Sequence, residues 1–241
     1  MAASDASLEG RKHPQISAND LALYMVSSAT AQLSIIRRHK YPSKHNVARY
    51  QDVKRKLINF LVSDSRDKTK IAEGIDYFDQ IEKDPAMPTS KVEDARASKS
   101  VLESFLGSYN SLGLGKLSFL EAPKGVGPLV LAGVRVTTNL DLLVRIPVKG
   151  TMHGGGAILR LSQVEDGEAA KDRRERMGDY VATLAYLQVD DKKFDGLATL
   201  ARACLSIDVQ HQQKFEAKAG SRRITDLTSA CQMIATVWPT V

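Results

Sequence analysis

Residues 129–163, LVLAGVRVTTNLDLLVRIPVKGTMHGGGAILRLSQ, constrain the fold more than any other part of the chain. Runs rich in Val, Leu and Ile, bounded by Gly, Pro and Asn, pattern as β-strands. Strands are expected over 129–136, 140–148 and 157–163, with Gly154-Gly155-Gly156 as a turn leading into the last. One acid, Asp141, interrupts the apolar pattern at the bend of a hairpin. The three strands are expected to pair in one sheet. A helix over 177–188 should cover it, since Met177, Val181, Leu184, Ala185 and Gln188 recur at helical spacing.

The region before this is helical. Ser17-Ala18-Asn19-Asp20 has the form of a capping box, flanked by Ile16 and Leu21 as a hydrophobic staple. The helix that follows carries Leu21, Tyr24, Met25, Leu33 and Ile36. It ends in Arg37-Arg38-His39-Lys40, cations where the helix dipole favours them, and Pro42 blocks continuation. Further amphipathic stripes predict helices over 47–61, 68–81 and 92–106. After the core strands, a short helix over 197–203, a strand over 205–215 and a closing helix over 224–237 are expected. Residues 1–15, small and polar, read as a disordered leader. The fold class is therefore α+β: a single domain over 16–241, its helical part (16–107) packed on a mixed central sheet within 116–241.

Composition closes off several classes. No apolar run is long enough for a membrane helix, and the first residues have no signal-peptide core, so a cytoplasmic protein without a membrane partner is expected. Two cysteines, Cys204 and Cys231, in no ligand-like spacing exclude a disulfide framework or a cysteine-rich zinc site. The net charge of +6 is unevenly placed: residues 1–70 hold 13 Lys and Arg against 6 Asp and Glu, while the rest is close to neutral. Such asymmetry points to an acidic partner, most simply DNA or RNA. Arg37, Arg38 and Lys40, followed by Tyr41 and by Lys44 and Arg49, form the candidate nucleic-acid-binding cluster, cations for phosphates beside an aromatic for a base. Against it stands the simpler role of a dipole-matched helix end.

The order of elements, the Asp141 position and the strand that follows resemble the RecB-like branch of the PD-(D/E)XK nuclease superfamily, over roughly residues 15–241. The resemblance implies a restriction-endonuclease-like core. Asp141 matches the family's metal-binding acid, and Tyr186 matches the Tyr of a Gln-x-x-x-Tyr helix motif whose Gln position holds Ala182. The next strand should carry an acid-x-Lys pair, and here the pattern breaks. Ile158 stands for the acid and Arg160 for the Lys. Ile cannot bind a metal, and Arg is too strongly protonated to shuttle protons. Asp141, Arg160 and Tyr186 are the candidate catalytic positions, with Asp141 the one candidate metal ligand and an Asp141–Arg160 ion pair expected in place of chemistry.

The resemblance implies a nucleic-acid-associated protein, inactive or weakly active, acting as a subunit of a DNA-processing or phage-defence assembly and needing no cofactor. One alternative is an active Mg²⁺-dependent nuclease that recruits Glu121, Glu165 or Asp179 as a displaced acid. Another is a module that binds proteins and no nucleic acid. Other motifs carry little: His153 before the three glycines lacks the Ser elbow of a hydrolase, and Gly113-Leu114-Gly115-Lys116 lacks the spacing of a phosphate-binding loop.

Overall fold

The computed structural model describes residues 10–43, 49–161, 168–220 and 222–241. Strand β1 (Gln15–Ser17) leads into α1 (Ala18–Met25), followed by α2 (Ala29–Lys40), α3 (Gln51–Val62), α4 (Thr69–Lys83) and α5 (Thr89–Ser108). Next come β2 (Ser118–Glu121), β3 (Leu129–Leu131), β4 (Val134–Thr137), β5 (Leu142–Val148) and β6 (Thr151–Arg160). Then α6 (Glu168–Lys192), β7 (Ala198–Thr199), β8 (Leu205–Asp208), β9 (Gln213–Glu216) and α7 (Arg222–Val237) complete the order. The architecture is α+β with a mixed sheet.

That sheet runs β2-β5-β6-β8-β9, with β7 added along β6. β2, β5 and β6 are an antiparallel meander; α6 then crosses over so that β8 lies parallel to β6. Side chains alternate across β6 and sort into two cores. Ala157 and Leu159 join Val53, Leu57, Leu102 and Phe105 beneath α3 and α5. Ile158 joins Leu21, Val181, Leu184 and Leu227 beneath α1, α6 and α7. Helices thus cover both faces, which is why the strands carry little exposed surface.

The expected three-strand pairing is corrected in two respects. Residues 129–136 are two strands, turned at Ala132-Gly133 with φ of 46° and 81°, and they form a separate small sheet in the order β1-β4-β3. β1 supplies a parallel partner that a three-residue strand hardly announces in sequence. The three glycines are not a turn but the middle of β6, and the turn is Lys149-Gly150, both at positive φ. A Cβ on Gly155 would sit 2.1 Å from the Ala203 carbonyl oxygen, and one on Gly156 would sit 2.9 Å from Val189 and Leu140 side-chain atoms. The glycines are needed for close approach, not for a bend.

The first helix is also two. Ser27 Oγ bonds the Leu23 carbonyl and Gln32 Nε2 the Tyr24 carbonyl, so side chains satisfy the end of α1 and α2 leaves in a new direction. The cap is as expected at Ser17, whose Oγ accepts the Asp20 N–H. The Asp20 carboxylate, however, bonds the Ser17 hydroxyl, Arg38 and His39. The leader is shorter than expected: Gln15 is in β1, the Arg11 N–H donates to the Lys40 carbonyl and Trp238 Nε1 donates to the Arg11 carbonyl. Residues 1–9 of that leader lie outside the described residues. Residues 197–203 hold the two-residue β7 and one 3-10 turn, and residues 205–215 are a hairpin. No helix among the described residues is long and apolar enough to cross a membrane.

Two measurements test these contacts. Gly155→Ala drives a Cβ into backbone that cannot rotate aside, and urea denaturation should show a loss of about 3 kcal/mol. Burial works to raise the Asp20 pKa, but the His39 hydrogen bond and the Arg38 charge outweigh it, so the group is held below its ordinary 3.8. A depressed folded pKa contributes stability that is full above the ordinary value and is lost as pH falls through the folded one. Asp20→Asn should therefore lower stability by about 1 kcal/mol at neutral pH and flatten its decline in acid, followed by thermal melts against pH.

Candidate functional site

Asp141 immediately precedes β5, where the chain leaves the ladder. Its backbone N–H still bonds the Ala157 carbonyl at 2.9 Å, and its carboxylate supplies the next acceptor, with Oδ2 taking the Leu159 N–H at 2.8 Å. The other oxygen, Oδ1, lies 2.8 Å from Lys54 Nζ, projected from α3 across the helix–sheet boundary. The Asp141 side chain is only 9% exposed. Both of its oxygens are engaged, one by a strand N–H and one by an ammonium.

Arg160 does not pair with Asp141, contrary to expectation. In the parallel register it faces Asp208 of β8, with Nη2 3.3 Å from Oδ2 and both side chains almost fully buried. Asp208 Oδ1 meets His211 Nδ1 at 2.9 Å and the His211 N–H at 3.2 Å. Arg160 Nη2 also touches Met177 Sδ at 3.5 Å, and Nη1 is buried with no hydrogen-bond partner. Burial lowers the Arg160 pKa, Asp208 works to raise it, and nearby Arg174 lowers it again. Arg160 lies on an interior strand, since β6 lies between β5 and β8.

The cationic member of each pair, Lys54 and Arg160, borders one crevice, about 780 Å³ in volume, between α1, the start of α3, the end of β6 and the start of α6. Arg49, Lys54, Arg160, Arg173 and Arg174 line it, and the single acid among the described lining residues is Asp20, already committed to Arg38 and His39. Tyr50 adds an aromatic ring. It sits at φ 66°, an unusual conformation for a non-glycine residue, with its N–H 3.3 Å from Asp94 Oδ1. The arrangement can hold an anion.

Tyr186 is not brought to the crevice. It lies nine residues beyond Met177 on α6, two and a half turns on, and so on the opposite side of the helix. Among the described residues of the N-terminal basic cluster, only Arg49 lines the crevice. Arg38 pairs with Asp20, and Lys40 Nζ donates to the carbonyls of Trp238 at 2.8 Å and Val241 at 2.7 Å. Arg37 is exposed, and Lys44 lies outside the described residues. Asp208, His211 and Lys54 were missed by the sequence reading. Asp208 leaves a signal, an acid in a buried alternating strand; Lys54 looks like any cation on the polar side of a helix.

A divalent metal of the kind the fold resemblance implies does not fit the donors. Asp141 has no unengaged oxygen, Ile158 is buried and apolar, and no three His, Cys, Asp or Glu among the described residues are gathered as metal ligands. Of the displaced acids, Glu121 borders the cavity beside Asp141, Asp179 is paired with Arg223, and Glu165 lies outside the described residues. Both cysteines are buried as free thiols with pKa pushed up to about 12 by burial, chemically quiet groups. No protein-family model matches this chain, and no curated protein matches it.

Removing one partner of a buried ion pair strands the other. Asp208→Leu should therefore destabilise the protein by about 3–5 kcal/mol, and adding Arg160→Met should recover most of that, as read by denaturant melts of the single and double variants.

Proposed function

We propose that this chain is a nucleic-acid-associated protein built on a nuclease-like core, which holds a phosphate backbone in the basic crevice and does not cut it. One observation carries the reading: Arg49, Lys54, Arg160, Arg173 and Arg174 line one crevice whose one described acid is Asp20, with Lys54 and Arg160 also paired to Asp141 and Asp208. Phosphates are the abundant polyanions that such a groove would meet, and Tyr50 offers a face on which a base can stack. The antiparallel meander followed by a crossover helix and a parallel strand supports the likeness to the PD-(D/E)XK core.

Loss of cutting follows from the local chemistry. In a metal-dependent nuclease the acid must present free oxygens to a hard cation and the second strand must supply another. Here Lys54 occupies the place of the cation at Asp141, and the second strand supplies Ile158. The Lys54 ammonium neutralises Asp141, so the acid does not repel a nearby phosphate.

Fluorescence anisotropy with labelled single-stranded and duplex oligonucleotides, taken across a salt series, tests the proposal. Binding should weaken steeply with salt. Arg49→Glu and Arg173→Glu should each weaken it across sequences and lower the salt slope by about one. Arg37→Glu probes the outer basic cluster without disturbing the contacts of Arg38 and Lys40. No Mg²⁺- or Mn²⁺-dependent cleavage of the same oligonucleotides is expected; cleavage abolished by Asp141→Asn would restore the active-nuclease alternative. No binding at low salt would favour the protein-interaction module.

A further inference from the structure

The basic crevice is lined from both hydrophobic cores, and each offers it apolar surface. Leu23 and Val26 at the end of α1, with Met177 on α6, belong to the fringe of the core beneath α1, α6 and α7. Tyr50, just ahead of α3, belongs to the fringe of the core beneath α3 and α5. All four side chains line the crevice, and all four residues are partly exposed. A groove that only collected phosphates would have no use for such walls. Apolar side chains gathered in a concave site with a few charged groups mark a pocket that takes the body of a ligand as well as its charge.

The charge stands on either side of the ring. Arg49 precedes Tyr50 and makes no ion pair among the described residues. Lys54 follows on the first turn of α3, 35% exposed, and its ammonium has three N–H groups of which Asp141 takes one. Tyr50 itself is held in place: its φ of 66° is a conformation that a bulky residue adopts at a cost, and its N–H is tied to Asp94 Oδ1 at 3.3 Å. Residues kept in such conformations collect at ligand-binding sites. The space is also narrow. A volume of about 780 Å³ is about 9 Å across if equant, less than the roughly 12 Å major groove of a duplex and within the range of small-ligand pockets.

We propose that the crevice takes an unpaired strand and excludes the duplex: a base lies on the Tyr50 ring against the apolar walls, and the flanking phosphates meet Arg49 and Lys54. The inference rests on the phosphate-binding role proposed above and adds which form of nucleic acid fills the site. A duplex keeps its base faces stacked inside, so it would bring only phosphate and sugar to the mouth and leave the walls wet. A cation with an aromatic beside it is the pattern that holds single strands, and every base has a face to stack, so little sequence preference is expected. The preference runs against charge density. A site that counted charge alone would favour the duplex, with one charge per about 1.7 Å of axis against about 3.4 Å for one of its strands.

The test uses the full chain at low salt and compares, by anisotropy, three labelled probes of equal length: a mixed-sequence single strand, the same backbone without bases, and the duplex. The single strand should bind about ten-fold or more tightly than the abasic strand, the worth of one stacked base, and more tightly than the duplex. Tyr50→Leu keeps an apolar wall and removes the stacking face. It should bring the single strand down to the abasic level while abasic affinity and salt slope stay unchanged, which shows that the variant is folded and still collects phosphates. Tyr50→Trp should keep the preference. Met177→Gln, of similar length and able to accept from Arg160, should weaken the single strand alone. Equal affinity for single and abasic strands, or tighter binding of the duplex, overturns the inference and leaves the phosphate-binding crevice standing. A preference that survives both Tyr50→Leu and Met177→Gln puts the base elsewhere and overturns it as well. No binding of any probe overturns both readings. Anilinonaphthalene sulfonate, an anion with an apolar body, should bind and be displaced by the single strand; its retention assigns the walls to another ligand and overturns the inference.

Discussion

The central strand β6 must lie closer to its neighbours than side chains ordinarily allow, and much of the molecule depends on that approach. Gly155 admits the backbone of Ala203, and Gly156 admits Val189 from the crossover helix. Without a Cβ at these positions, α6 can seat against the sheet and β8 can run alongside β6 in parallel register. That register then places Arg160 opposite Asp208, a charged pair that survives burial because each group neutralises the other and His211 gives the acid further hydrogen bonds. Sterics in the middle of the strand thus determine the electrostatics at its end.

Much of the fold was legible because periodicity was strong. Stripes such as Val53, Leu57 and Leu61 in α3, or Val181, Leu184 and Ala185 in α6, are buried as their spacing implies. Errors arose where tertiary contacts decide the outcome. Three consecutive glycines have the composition of a turn, and only the Ala203 carbonyl pressed against Gly155 explains their place in a strand. Residues 129–136 have strand composition throughout, yet the Ala132-Gly133 turn folds them into a second sheet whose third member, β1, lies more than a hundred residues earlier.

The site was less legible than the fold, and for a related reason. Asp141 stood out as an acid in an apolar run, but its partner Lys54 comes from a helix far away in sequence, and no spacing rule links them. Arg160 was noticed; Asp208 was not, although parallel pairing sets them side by side. In the basic cluster, Arg38 and Lys40 proved to hold Asp20 and the carbonyls of Trp238 and Val241, and the crevice is lined instead by Arg49 with Lys54 and Arg160, which are themselves paired with Asp141 and Asp208. Charge counts locate an excess of cations. They do not reveal which cations the fold consumes internally.

The saturation of Asp141 limits which substitutions its surroundings can accept. Placing an acid at position 158 alone would bury a carboxylate in an apolar core beside an aspartate whose oxygens are already engaged, a costly change with no metal site to offset it. Removing the Lys54 ammonium alone would leave Asp141 buried and without its counter-charge. A metal-binding acid pair at this place would need both changes together, since each alone lowers stability. Lys54 and Asp141 therefore constrain each other: neither side chain can change alone without leaving a buried charge unmatched.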